Sequence, residues 1–213
     1  MTNIKIDNAT ILTLNPNRDI ILNGSILIEN NIIIAIGTRR DLLQESADKI
    51  INAHGKLAVP GFFNNHIHIS YAHAVRGIFP DGLPFSDYLN QVFQLQSEMS
   101  AEEEYYTSLL GIVDMIKNGT TSFFEPGSAK HLPSLLKAIE ESGSRSIIGN
   151  SVVDLDNPIN LPVLTTDEAL SLMEKTLSQY HNSVSGRVKV WIMPFSINYS
   201  SKDLLIASKL LSQ

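Results

Sequence analysis

The chain has 213 residues, 43% of them hydrophobic and 18% charged, a globular composition that weighs against disorder. A formal charge of −6 and the lack of any basic run argue against nucleic-acid binding, which gathers Lys and Arg against phosphate. With no cysteine, disulfides and thiolate metal sites are excluded, so any metal must be held by His and carboxylate.

At the N-terminus, "MTNIKIDN" lacks the basic start and apolar stretch of a signal peptide. No apolar run approaches the roughly 20 residues that span a bilayer. A cytoplasmic protein with no membrane contact is therefore expected. Residues 4 to 59 hold short β-branched runs, "ATILTL", "SILIE" and "NIIIAIG", punctuated by turn residues. "SILIENNIIIAIG" predicts a hairpin turning at Glu29-Asn30-Asn31, because Asn tolerates the left-handed backbone of tight turns. Residues 1–58 thus read as part of a small β domain that leans on something larger.

From 59 to 213 strand and helix patterns alternate. The strand candidates are "GFFNNHIH", "TTSFFE", "RSIIGNSVV" and "RVKVWIMPF". The first helix, "SDYLNQVFQLQSEM", is expected to start at a Ser86 cap, and "SAEEEYYTSLLGIVDMIKNG" at Ser100 with a stop at Gly119. The glutamates at 102 to 104 read as a solvated first turn that favours the positive helix end. "HLPSLLKAIEESG", "TTDEALSLMEKTLSQYH" and "SKDLLIASKLLSQ" complete the helices. Four successive strand–helix units imply parallel strands with helical crossovers, half of an eight-unit barrel.

In "PGFFNNHIHIS", His66 and His68 stand two apart, so on a strand both would face one side and could share one metal ion. The C-terminal end of a barrel strand is where such sites lie. Two capped or solvent-facing histidines are the plainer alternative.

Three stretches carry a family likeness. "NAHGKLAVPGFFNNHIH", "RGIFPDGLPFSDYL" and "DMIKNGTTSFFEPGS" resemble the amidohydrolase superfamily, in its branch with triazine chlorohydrolases, guanine deaminases and adenosylhomocysteine-type deaminases. The resemblance implies an α/β fold with a TIM-like (β/α)8 barrel. About the first four βα units would be present, preceded by part of a small β-sandwich built from both chain ends. It also implies one divalent metal ion, zinc or iron, and hydrolysis of non-peptide C–N bonds in a cyclic amidine or nitrogen heterocycle. By the same resemblance His66 and His68 correspond to the first two metal ligands. The expected catalytic residues, further histidines, a glutamate and an aspartate after later strands, fall beyond Gln213.

The sequence is accordingly expected to be the N-terminal part of a longer enzyme, with the 213-residue chain alone inactive. A non-catalytic truncated pseudoenzyme or assembly subunit is the second expectation. Half a barrel leaves unpaired strand edges, so pairing with another chain, a second copy included, is expected there.

His73, Arg76, Glu125 and Phe195 are the candidates for the substrate pocket. His73 lies in the loop after the first barrel strand, and Arg76 is weighed between an anionic substrate group and a structural salt bridge. Glu125 is weighed between a contact at the barrel mouth and fixing the turn at Pro126-Gly127. Phe195, in "MPFSINYSS", stands where many deaminating relatives resemble a Pro-His-Ala-Pro-Tyr-Thr stretch with a substrate-contacting histidine, which counts against an adenosine-type substrate. Lys189 reads as a strand lysine, Asp154 and Asp156 as turn residues, and His54, His131 and His181 as solvated.

Overall fold

The computed structural model describes residues 3–213, which divide into two compact units with the boundary between Gly61 and Phe62. In the first, β1 (Asn3–Leu12), β2 (Ile20–Glu29) and β3 (Ile32–Thr38) form an antiparallel meander. β4 (Lys49–Asn52) and β5 (Leu57–Ala58) add parallel to β1, giving a single five-stranded sheet. The β2–β3 hairpin turns as its sequence predicts: Glu29 pairs with Ile32, and Asn30 takes the left-handed backbone at φ 54°.

In β1, Asn8 at φ 65° marks an irregularity that shifts the register between Ile6 and Ala9. Ile6, Ala9 and Ile11 consequently join Ile26 and Ala53 in one small cluster. Lys5, Asp7 and Ser25 are also buried. The Ser25 hydroxyl and Arg39 Nε both donate to Asp7, and Lys5 Nζ donates to the Leu42 carbonyl at 2.5 Å. Burial draws the Asp7 pKa upward, but the Ser25 and Arg39 bonds, with the charges of Lys5 and Arg39, hold it below the usual carboxylate value.

The second unit is a parallel sheet in the order β6 (Phe62–Asn64), β7 (Thr120–Phe124), β8 (Arg145–Ile148), β10 (Val188–Val190). Two short strands, β9 (Ser151–Val152) and β11 (Met193–Pro194), pair in parallel just past the ends of β8 and β10. The expected third and fourth strands are thus each split. At the first split, a side chain on Gly149 would sit 2.6 Å from the Trp191 carbonyl oxygen, so the two backbones approach more closely than a Cβ allows.

The helices are α1 (Phe85–Glu98), α2 (Ala101–Lys117), α3 (Leu132–Ser142), α4 (Thr166–Tyr180), the single turn α5 (Ser183–Gly186) and α6 (Lys202–Leu211). Strands lie side by side in chain order with helical crossovers between them, the α/β arrangement of a (β/α)8 barrel over its first four units. Ile69, Ile112, Phe123, Leu135, Ile139, Ile148 and Val188 form the main core between sheet and helices. Each such side chain contributes about 1.5–3 kcal/mol by leaving water.

Capping boxes start α2 and α4: Ser100 with Glu103, and Thr165 with Glu168, each satisfy two helix-end donors reciprocally. Two expectations are corrected. Ser86 does not cap α1, which begins one residue earlier, at Phe85, with Pro84 at the cap position and no side-chain cap bond. Glu104 is not solvated: its carboxylate is fully buried and accepts the backbone N–H groups of Lys130 (2.8 Å) and His131 (2.6 Å). It thereby caps α3, whose own N-cap residue His131 makes no side-chain cap bond.

Candidate active site

β6 stops at Asn64, so His66 and His68 lie just beyond the strand, not on it. Two bonds hold this stretch: the Asn64 side-chain oxygen accepts the His66 N–H at 3.2 Å, and the Ile67 N–H donates to the Phe124 carbonyl at 3.0 Å. The second keeps the backbone alongside β7 after the ladder ends. A turn begins at His68, whose carbonyl accepts the Ala72 N–H at 2.9 Å. The two rings meet edge to face with centroids 5.0 Å apart and Nε2 atoms 3.3 Å apart.

That spacing tests the fit of a metal. Tetrahedral zinc with Zn–N bonds of about 2.0–2.1 Å places two ligand nitrogens about 3.3–3.4 Å apart. The two Nε2 atoms, at 3.3 Å, match this. Among the described residues no group of three or more His, Cys, Asp or Glu converges to hold a metal.

Beneath it sits Glu125, with no solvent exposure. Its Oε2 accepts the Ile69 N–H at 2.7 Å, and its Oε1 accepts the Ser128 N–H at 2.8 Å and hydroxyl at 2.5 Å. One carboxylate therefore braces the loop after His68 and fixes the turn at Pro126-Gly127. His68 Nδ1 lies 3.8 Å from Glu125 Oε1, and Tyr71 stacks on the His68 ring at 5.2 Å, inclined by 13°. Burial, then the Glu125 charge and Tyr88, push the Tyr71 hydroxyl far above its ordinary pKa, so it stays neutral.

The histidines open onto a cavity of about 810 Å³. Phe85 and Tyr88 of α1, Phe124 of β7, and Trp191 and Phe195 beside β11 give it aromatic walls. Among the described residues no Lys, Arg, Asp or Glu lines it.

Of the candidates drawn from sequence, His66, His68 and Phe195 line this cavity, and Glu125 lies behind His68. His73 and Arg76 are not among the lining residues. The His73 ring is mostly buried with Nε2 4.0 Å from Asp114 Oδ2 of α2, and Arg76 is exposed. Lys189 is an exposed strand residue bonded to Asn182. Asp154 does more than shape a turn, since it accepts the Ser201 N–H and hydroxyl, both at 2.6 Å, and the Thr166 hydroxyl at 2.8 Å. Tyr71, Phe85, Tyr88, Phe124 and Trp191 were not singled out in the sequence. Only Tyr71 carries a local signal, three residues after His68 and so one turn away.

The Amidohydrolase family profile matches residues 57–210. The chain belongs to the amidohydrolase family. Among curated amidohydrolase relatives, a 5'-deoxyadenosine deaminase of Methanobrevibacter smithii is 34% identical over 206 residues, 96% of this chain and 45% of that protein. A 5-methylthioadenosine/S-adenosylhomocysteine deaminase of Acetivibrio thermocellus is 32% identical over 197 residues, covering 92% and 43%. The chain thus spans a little under half the length of these relatives.

In fold, it is similar to an atrazine chlorohydrolase of Arthrobacter aurescens TC1 complexed with zinc, at TM-score 0.83 and 20% identity, covering 98% of this chain and 50% of that one. Guanine deaminase of E. coli matches at TM-score 0.73 and 19% identity, covering 99% and 50%. Among the described residues no helix is long and apolar enough to cross a membrane.

Proposed function

We propose that this amidohydrolase chain carries the first two metal ligands and one aromatic wall of a hydrolase that removes an amino group from a planar, neutral nitrogen heterocycle. The observation that carries the reading is the His66/His68 pair, Nε2 atoms 3.3 Å apart, at the mouth of an aromatic cavity of about 810 Å³. Two named deaminases at 34% and 32% identity support amine release over other leaving groups. A divalent ion held between the two Nε2 atoms would lower the pKa of a bound water and supply hydroxide near neutral pH. Zinc is the ion we favour, and the zinc-bound chlorohydrolase of similar fold supports it.

The chain's own residues would do the rest of what is in view. Phe124 and Trp191, ring centroids 5.3 Å apart, would offer their faces to a flat ring. The uncharged lining favours a neutral substrate, because a charged one would lose its hydration without a partner. Phe195 would set an apolar limit to the pocket beside β11. The outer edges of β6 and β10, each paired on one side only, are where further barrel strands would add, from this gene product or a second copy.

The test is to express the product of the natural gene, measure bound metal by elemental analysis, and follow ammonia release from amino-substituted purines and pyrimidines. His66→Ala and His68→Ala should each lose metal and turnover. Unchanged metal content and turnover in both variants would refute the reading and favour a non-catalytic subunit.

A further inference from the structure

We propose that Glu125 is a positioning residue for His68: its buried carboxylate fixes the imidazole as the Nδ1–H tautomer, leaving the Nε2 lone pair aimed at the point shared with His66. The inference deepens the metal reading above and rests on it for its functional meaning. Its structural content stands on three observations.

The first is an unpartnered atom. His68 Nδ1 is buried and makes no hydrogen bond, and the carboxylate oxygen Oε1 of Glu125 lies 3.8 Å away. A buried ring nitrogen facing a carboxylate is stable as a donor. As an acceptor it would set its lone pair against negative charge and leave the carboxylate less satisfied.

The second is a count of acceptor sites. A carboxylate offers about four lone-pair sites. Glu125 uses three, for the Ile69 N–H, the Ser128 N–H and the Ser128 hydroxyl. The one left is on Oε2; Oε1, the oxygen 3.8 Å from His68 Nδ1, already accepts both Ser128 bonds, so the ring nitrogen faces the charge of the carboxylate without a direct bond to it.

The third is the opposite ring nitrogen. The Nε2 atoms of His66 and His68 stand at hydrogen-bond distance, 3.3 Å, with the donor set by the tautomer of each ring. With Nδ1 of His68 protonated, its Nε2 is the acceptor and His66 Nε2 the donor. For His66 Nε2 to hold a cation its proton would have to pass to Nδ1 of the same ring or to solvent, whereas His68 Nε2 would need no change. Tyr71, stacked at 5.2 Å, limits how far the His68 ring can tilt from this setting. Histidine ligands to metals commonly donate their other N–H to a carboxylate in this way, and losing that partner typically weakens metal binding about 10–100-fold.

The test uses the metal-free, 15N-labelled chain at pH 8 and reads each tautomer from long-range proton–nitrogen correlations. His68→Gln assigns the signal. The expected result is the Nδ1–H form for His68, the reverse of the form free imidazole side chains prefer. The Nε2–H form would overturn the proposal, and this reading needs no variant of Glu125 to fold.

Glu125→Gln should move His68 toward the Nε2–H form. It should also weaken Co(II) binding about 10–100-fold, followed by quenching of Trp191, the sole tryptophan and a wall of the same cavity. An unchanged tautomer in Glu125→Gln would likewise overturn it. The Nδ1–H form in a chain that binds no Co(II) would sink the metal reading while upholding the role of Glu125.

Discussion

Glu104 gives a sharp test of how the second unit is held together. It accepts the Lys130 and His131 N–H groups at the start of α3, at 2.8 and 2.6 Å, from a site with no solvent exposure. Glu104→Ala leaves two buried backbone donors unmet, at about 1–3 kcal/mol each. A loss of about 2–6 kcal/mol follows, and at about 2–4 °C per kcal/mol for a chain of this size the melting temperature should fall by roughly 4–24 °C.

The pH dependence separates this cause from simple loss of packing. Burial raises the Glu104 pKa above its ordinary 4.5, outweighing the bonds from His131 and Lys130 that lower it. The folded chain therefore holds this proton more tightly than the unfolded one. The contribution is full below about pH 4.5 and declines as pH rises through the folded value. Wild type should thus lose ground to Glu104→Gln, which cannot titrate, as pH rises above about 4.5 in urea unfolding curves. An alanine variant within about 0.5 kcal/mol of wild type, the usual spread for neutral surface changes, would refute the reasoning, as would a wild-type-to-glutamine difference that is flat with pH.

Other outcomes follow from single residues. Gly127→Ala should destabilise the chain by at least about 1–3 kcal/mol from backbone strain alone, because Gly127 sits at φ +87°. Its Cβ would also lie 2.3 Å from the Ser151 nitrogen, and an unchanged urea midpoint would contradict the close approach. Phe123→Ala, at a position with no exposure, should cost about 3–5 kcal/mol by the same measurement. Burial draws the Asp154 pKa up, but bonds from Ser201 and Thr166 outweigh it and hold the group below 3.8. Its contribution is therefore present above about pH 3.8 and lost as pH falls through the folded value, so Asp154→Asn should differ most from wild type at neutral pH and converge with it in acid.

What was legible in the sequence was mostly local. The Ser100 cap and the Asn30 turn each depend on residues within a few positions, and the structure carries them as read, whereas the Thr165–Glu168 capping box was not singled out. Strand–helix order was legible for a different reason, since buried parallel strands and amphipathic helices impose different periods on the chain. Glu104 was misread because a first-turn glutamate satisfies two roles in sequence. The signal against solvation was its spacing: Glu104, Ser108, Gly111 and Ile112 form one buried stripe.

The histidine pair was found for a partly wrong reason. A strand alternation suggested it, whereas the turn after Asn64 and the bond to Phe124 aim the rings. The cavity walls were illegible, since Phe85, Phe124 and Trp191 come from separate segments and meet only through the packing of distant chain.

The Asp154 carboxylate also bears on the order of assembly. It joins Thr166, 12 residues along the chain, and Ser201, 47 residues along, closing one short loop and one long loop on a single side chain. Closure entropy grows only with the logarithm of length, so the longer loop costs about 1.2 kcal/mol more than the shorter. Once the end of β9 and the start of α4 are joined, Asp154 is already oriented, and α6 docks on a preformed acceptor. The unit is thereby biased to join α4 before α6.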